Sequence, residues 1–440
     1  MSDNNFFEGD VFTNKSNGKN FEVMGPKCPL GEGGFGEVYL VKDLSSNEYF
    51  VAKVPNLKKH AGEPKAIDTV KKKQRQEAEI IRDLTLKNVP SVVRFGDTFE
   101  IENKGDTLEV LLIEKAKGVT LKDWVGNNGA MAERHVKIVL EKLAIAMRGI
   151  HKATYIHRDI KDENIFIDGP LDNPQLTIID FGISAVFDNS KTHAIATNLM
   201  HSHFYAPPEQ KTLNEARPST DVFAIGAIAF YLLTGGNRNP GRDSRYKPQD
   251  FGVDVSDDFN LLIEKATWDN PVHRYMVMDE LILAIRGKPM TNQMPRIVSV
   301  GDVHVLEEDE IWICRKTNHI KKDNVIQIEE RTDPLGRKWF ISRKHAVVQK
   351  DHLGIYRIFD AGITRPNGRT KSKNGTVWRA NSTNEWRDLP EQGLPLMSSY
   401  IEIGIGFTKQ APDSKDKNGD PILPGPYKII QYAPPEIPTT

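Results

Sequence analysis

Two short stretches constrain this chain more than any other feature. They are His157-Arg158-Asp159-Ile160-Lys161-Asp162-Glu163-Asn164 and, shortly after, Asp180-Phe181-Gly182. Together they carry carboxylates, an amide, a lysine and an arginine at a spacing that phosphoryl transfer can use. Asp159 can orient an attacking hydroxyl, and Asn164 and Asp180 can hold a divalent cation against phosphates. A fold that uses them must bring both stretches to one cleft. Chance is a poor explanation for an ordered pattern of this length.

Upstream, Gly31-Glu32-Gly33-Gly34-Phe35-Gly36-Glu37-Val38 matches GxGxxGxV. Such glycines let backbone N–H groups approach phosphates closely. Alone the motif is weak, since dinucleotide folds share it; its strand-turn-strand setting decides against them. Short apolar runs alternate with turns over 21–54, as antiparallel strands do, and strands return over 92–99 and 107–114. Helical spacing covers 65–86, then 120–125, 133–151, 220–233, 257–266 and 278–286. The basic run Lys71-Lys72-Lys73 with Arg75 reads most simply as a solvated helix face, with a dock for an acidic or phosphorylated segment as the alternative.

HRDxKxxN, DFG and the glycine motif, on a small β-rich lobe followed by a larger helical lobe, resemble the eukaryotic-type (Hanks-type) protein kinases. The resemblance implies ATP and Mg²⁺ as cofactors. Gly31, Gly33, Gly34 and Gly36 would cradle phosphates and Val38 would cover the adenine. Lys53, in Phe50-Val51-Ala52-Lys53, would contact the α- and β-phosphates. Val51 stands where the family often has alanine, which narrows the nucleotide pocket. The carboxylate that pairs with Lys53 is Glu77 by the apolar spacing of Ile80, Ile81 and Leu84, with Glu79 the alternative. Ile113 would be the gatekeeper, and backbone groups from Glu114 to Ala116 would bind adenine.

The same resemblance assigns Asp159 to the acceptor hydroxyl, Lys161 to the γ-phosphate, and Asn164 and Asp180 to metal. Lys161 is the form found in serine/threonine kinases. Arg158 would anchor a phosphorylated activation loop, which runs over 180–209 and holds Ser184, Ser190, Thr192, Thr197 and Ser202. Thr192 and Thr197 are the preferred autophosphorylation sites, and Ser202 would contact the catalytic aspartate and lysine. Glu209, in Pro207-Pro208-Glu209 where the family reads APE, should pair with Arg274. Asp221 should tie down the backbone of His157 and Arg158.

The pattern changes near residue 288. Residues 289–310, with an acidic run at 307–310, read as a linker. From 311 onward short strand-like runs follow, at 311–314, 324–329, 339–341, 345–349, 354–359, 376–378, 400–405 and 427–432, as in a β-sandwich. Ile311 to Arg315, Ser342-Arg343-Lys344-His345 and Ser372-Lys373-Asn374-Gly375-Thr376 occur in order. This series resembles the forkhead-associated (FHA) domain, which binds phosphothreonine. It implies a phosphate site of Arg315, Ser342 and Arg343 or Lys344, with Asn374 fixing the peptide backbone. His345 reads as a packed core residue. Cys314 departs from the usual glycine. Residues 361–371 look like a basic insertion, which favours an acidic residue after the phosphothreonine.

The expected class is therefore multidomain α+β, a bilobal kinase followed by an all-β FHA sandwich. Its parts are a flexible segment 1–19, a kinase domain 20–288, the linker, the FHA-like module 311–433 and a Pro-rich tail 434–440. Composition bears on partners. A formal net charge of -1 over 440 residues gives nucleic acid no support. Two cysteines, Cys28 and Cys314, exclude a disulfide framework and point to a reducing compartment. The N-terminus has no secretory pattern, and the apolar run 222–233 is too short for a membrane span. A cytoplasmic enzyme of bacterial or phage type is expected. It would phosphorylate protein substrates and bind phosphothreonine segments of itself or a partner, with a transient homodimer as one form of that contact. The alternatives are a phospho-dependent scaffold with vestigial catalysis and a tyrosine-directed or dual-specificity kinase. The intact motif set argues against the first, and Lys161 with Ser202 against the second.

Overall fold

A computed structural model describes residues 6–25, 29–32, 36–57, 64–103, 105–182, 184–186, 204–213, 217–240, 246–287, 296–299, 302–305, 310–315, 325–328, 346–350, 356–360, 376–379, 387–389, 394–396, 401–405 and 428–433. Two compact units emerge: Met1–Val186 with Asn198–Arg274, and Phe187–Thr197 with Tyr275–Thr440.

In the first unit, alternating burial builds a seven-stranded sheet. Its strands are β1 (Val11–Thr13), β2 (Asn20–Val23), β3 (Gly31–Glu32), β4 (Gly36–Asp43), β5 (Tyr49–Pro55), β6 (Phe95–Asn103) and β7 (Asp106–Glu114), in the order β1-β2-β4-β5-β7-β6 with β3 paired to β4. In β4, Glu37, Tyr39, Val41 and Asp43 face inward. Helix α1 (Pro64–Leu86) lies in the connection from β5 to β6. The Gln74 amide on α1 donates to the Lys53 and Glu109 carbonyls at 3.0 and 2.8 Å, fixing the helix to the sheet.

The helical part of the unit follows. It begins with β8 (Val119–Thr120), α2 (Leu121–Asn128), α3 (Glu133–Lys152) and β9 (Tyr155–Ile156). A 3-10 turn over Asp162–Asn164 leads to β10 (Ile165–Asp168), β11 (Gln175–Ile178), β12 (Ala185–Val186), α4 (Pro208–Leu213), α5 (Pro218–Leu233) and α6 (Asp257–Ala266). The Thr120 hydroxyl caps α2 by accepting from Asp123 N. Every residue of α5 is buried, as its unbroken apolar run requires. No helix among the described residues is long and apolar enough to cross a membrane.

The second unit holds α7 (Met278–Ile285) and strands β13 (Arg296–Ser299), β14 (Asp302–Val305), β15 (Glu310–Arg315), β16 (Val325–Ile328), β17 (Ala346–Lys350), β18 (Tyr356–Asp360), β19 (Thr376–Arg379), β20 (Arg387–Asp388), β21 (Leu394–Leu396), β22 (Ile401–Ile405) and β23 (Lys428–Ala433). They form two sheets, β14-β13-β23-β22-β19-β20 and β16-β15-β17-β18-β21. Apart from the parallel β15–β16 pair, these ladders are antiparallel.

Two sequence expectations change. Residues 296–299 and 302–305, read as linker, form the antiparallel β13–β14 pair, and β13 also pairs with β23 through Ile297 opposite Tyr432. Four-residue runs carry too little alternation to be seen, and the partner strand is far away in sequence.

Residues 6–19, read as a flexible lead-in, are also built into the fold. β1 pairs with β2, and Phe12 is 2% exposed. Phe6 meets Phe12 and Tyr39 edge-on, with centroids 4.7 and 5.6 Å apart. The Asn14 amide donates to Asp97 at 2.9 Å. Deleting residues 1–19 uncovers this cluster. At about 1.5–3 kcal/mol per buried large side chain, the deletion should lower the first melting transition of the chain by several degrees. A scanning-fluorimetry midpoint equal to that of the full chain would refute the structural role.

Candidate active site

The cleft is built from β4, β5, α1 and the loops on either side of β10 and β11. Alternation in β5 puts Ala52 in the sheet's core and turns Val51 and Lys53 to the opposite face. Val38 is paired with Lys53, and Val51 with Ile113. Val38, Val51 and Lys53 thus share one face, with Ile113 alongside in β7, itself buried. At the next position, Glu114 N donates to the Arg94 carbonyl at 2.9 Å. Gly36 is glycine for a steric reason: a Cβ there would lie 2.4 Å from the Val54 carbonyl oxygen. Gly31 begins the β3–β4 hairpin. Gly33 and Gly34 lie outside the described residues.

The Lys53 ammonium bonds the Glu77 carboxylate and lies 3.5 Å from Asp180. Glu77 is buried and Glu79 exposed, so the helix register selects the first of the two candidates. Glu77 also accepts from Phe181 N at 3.2 Å, joining α1 to the DFG segment. Burial opposes charge on Lys53, but the Asp180 and Glu77 carboxylates outweigh it and hold the ammonium above its ordinary pKa. The Lys53 charge holds Asp180 below the usual carboxylate range, against burial. Burial pushes Glu77 upward against the pull of Lys53.

Asp159 sits at the centre of a second set. Its Oδ2 accepts from Lys161 Nζ at 2.8 Å and from Asn164 Nδ2 at 3.1 Å, and its carbonyl accepts from the same amide at 3.0 Å. Lys161 is raised above its ordinary pKa because the Asp159 charge and hydrogen bond overcome burial. The Asn164 amide nitrogen is spent on Asp159, so Oδ1 is the atom it can offer a cation.

The loop beneath is held by buried groups. Asp221 accepts from His157 N and Arg158 N, both at 2.9 Å, and bonds His151 Nε2 at 2.8 Å. Burial would raise Asp221, but these hydrogen bonds and the nearby histidines hold it low. Burial depresses His157, whose ring packs on Phe181 with centroids 4.7 Å apart. Arg158 and Asp180 both adopt positive φ, +71° and +65°. Non-glycine residues rarely do so, and such strain persists only where the surroundings impose it. The Glu209–Arg274 pair expected from sequence is present as a bidentate contact at 2.7 and 2.9 Å.

The structure thus brings Lys53, Glu77, Asp180, Asp159, Lys161 and Asn164 into one unit. Thr192, Thr197 and Ser202 lie outside the described residues, as do Ser342, Arg343 and Asn374. Arg315 ends β15, and Thr376 of the SKNGT stretch opens β19, donating to Asp360 at 3.0 Å. Sequence reasoning missed Gln74, Gln210 and Arg238. Gln210 Nε2 supports the Arg158 carbonyl at 2.8 Å, and Arg238 reaches Asp162 at 2.6 Å. No local pattern marks these three, because each acts on a residue far away in sequence.

A lysine bridging two carboxylates, beside an Asp-Lys-Asn set on a loop pinned from below, defines a protein kinase cleft. The chain belongs to the protein kinase domain family, which matches residues 26–277. It is similar to a probable serine/threonine-protein kinase of Clostridium perfringens, 28% identical over 60% of this chain and 38% of that protein. It is likewise similar to the serine/threonine-protein kinase PrkC of Bacillus subtilis, 26% identical over 70% of this chain and 45% of the relative. PknB of Mycolicibacterium smegmatis is 27% identical over 57% and 40%. The chain spans less than half the length of these relatives.

Proposed function

We propose that this chain is an active serine/threonine protein kinase that uses ATP and Mg²⁺ and carries an FHA-like module reading phosphothreonine. The observation that carries the catalytic part is the presence in one unit of two sets, Glu77–Lys53–Asp180 and Lys161–Asp159–Asn164. Asp180 and Asn164 offer a carboxylate and an amide oxygen, a hard, sparse donor set that suits Mg²⁺ completed by nucleotide phosphates. When bound, the metal neutralises charge on the phosphoryl oxygens. Lys53, fixed by Glu77, binds the α- and β-phosphates. Val38, Val51 and Ile113 bound the adenine site, and the Glu114–Ala116 backbone reads its edge. Asp159 orients the acceptor hydroxyl and takes its proton, while Lys161 steadies the transferring group.

Serine and threonine are the acceptors in this reading because Lys161 is the form found in serine/threonine kinases, and because the relatives are named as serine/threonine kinases. Autophosphorylation at Thr192 or Thr197 draws support from a pair of cations. Lys73 on α1 is held below its ordinary pKa by burial and by the charge of Arg158. A phosphate beside the two would relieve that repulsion. The FHA-like reading is supported by the two β-sheets of the second unit, with Arg315 at a strand end and Thr376 at the head of another.

The test is to incubate the full chain with Mg-ATP and map phosphosites by mass spectrometry, alongside peptide binding by Arg315→Ala. Phosphoserine or phosphothreonine is expected, with phosphothreonine-peptide affinity lost in the variant. An unphosphorylated wild type would sink the enzyme reading, and unchanged binding by Arg315→Ala would remove the phosphothreonine site.

A further inference from the structure

Asp162 follows Lys161 directly, and its side chain is 1% exposed. Nothing in the chemistry above uses it. Its Oδ2 accepts from Arg238, which extends from the segment after α5. The guanidinium also lies over the rings of Tyr231 and Tyr205, at 5.3 and 6.0 Å.

We propose that Arg238 is a positioning residue for phosphoryl transfer, acting through Asp162 on the turn that carries Asn164. This rests on the kinase reading above. Asp162 opens the Asp162–Asn164 turn, and Asn164 in turn braces both the carbonyl and the carboxylate of Asp159. Asp221 grips the same loop from its other end, at His157 and Arg158. The catalytic loop is therefore held at both ends by ionic groups from distant segments. Arg238 is itself about two-fifths exposed, but its carboxylate partner is buried, whereas the neighbouring Lys122–Glu163 pair, at 2.7 Å, is about half exposed at both ends and so holds the turn weakly.

The surroundings make Asp162 dependent on its arginine. Burial, then the charge and hydrogen bonding of the facing Asp162 carboxylate, push the Tyr231 hydroxyl up to about 12 and raise Tyr205 as well, so both stay neutral and offer the carboxylate O–H groups but no positive charge. Among the described residues, Arg238 is thus the cation paired with this carboxylate. Removing it leaves a buried negative charge next to the residue that steadies the transferring phosphate. A buried charge without its partner is far costlier than an apolar side chain in the same place. The turn must then shift toward water, and Asn164 and Asp159 move with it.

The test compares the full-length wild type with Arg238→Met and with Arg238→Met/Asp162→Leu. Peptide-phosphorylation kinetics are measured, together with hydrogen–deuterium exchange across residues 157–168. Arg238→Met should lower kcat by ~10–100-fold, the cost of a small misplacement of reacting groups, with the KM for ATP little changed. Exchange across 157–168 should quicken. Adding Asp162→Leu should recover most of both losses, because the stranded charge is gone. Unchanged kcat and exchange in Arg238→Met would overturn the proposal, and so would equal impairment of the two variants. A wild type that transfers no phosphate would remove the kinase reading, while the exchange data would still decide the clamp.

Discussion

Replacing Asp159 by asparagine should lower the rate of phosphate transfer by ~10²–10⁴-fold, the contribution of a well-placed acid–base group. The substitution keeps size and shape. An asparagine oxygen can still accept from Lys161 and Asn164, which bond Asp159 at 2.8 and 3.1 Å. It cannot take the proton of an acceptor hydroxyl, and it gives Lys161 a neutral neighbour in place of a charge. The loss should fall on kcat, because Lys53, Glu77 and Asp180 form a separate set on the nucleotide side. Steady-state kinetics at saturating Mg-ATP provide the measurement, with the KM for ATP as the internal control. Activity within tenfold of wild type would remove Asp159 from its assigned role.

Much of this site was legible because its residues sit in short, ordered strings. Lys161, Asn164 and Asp180 lie close to Asp159 in sequence, so one reading collects them. Glu77 could be chosen over Glu79 because an amphipathic helix buries one and exposes the other. The amphipathic helices α1, α3 and α6 were visible for the same reason and α5 by its unbroken apolar run, and α6 matches its sequence expectation residue for residue. What stayed hidden was either non-local or short. Nothing local distinguishes Asp162 from any other loop charge, because its partner Arg238 lies far away in sequence. β1 escaped notice because three residues among Asn, Gly and Ser carry no period, although Phe6 and Phe12 are its anchors. The β13–β14 pair was hidden by its brevity, and its partner β23 lies near the other end of the module.

Arg274 carries the largest expected effect on stability. Its side chain is 0% exposed, and all five of its N–H donors are used. Nε donates to the Trp268 carbonyl at 2.5 Å. One terminal nitrogen reaches Glu209 and the Ser219 carbonyl at 2.7 and 3.2 Å. The other reaches Glu209 and the Asp269 carbonyl at 2.9 and 2.8 Å. The planar fork packs over Phe223 at 5.0 Å. Arg274→Ala strands a buried carboxylate and takes one donor from each of three carbonyls at once. Breaking a buried pair from one side costs roughly 3–5 kcal/mol, which for a unit of this size lowers the melting midpoint by roughly 6–20 °C. Lysine is no remedy, since three donors on a point charge cannot reproduce a five-donor plane. Activity should fall as well, because Glu209 is followed on α4 by Gln210, which holds the Arg158 carbonyl of the catalytic loop at 2.8 Å. Calorimetry on the wild type, Arg274→Ala and Arg274→Lys separates the cases. Both variants should melt well below wild type, whereas an Arg274→Lys midpoint within about 2 °C of wild type would mean that charge alone, and not the fork, holds α4 in place.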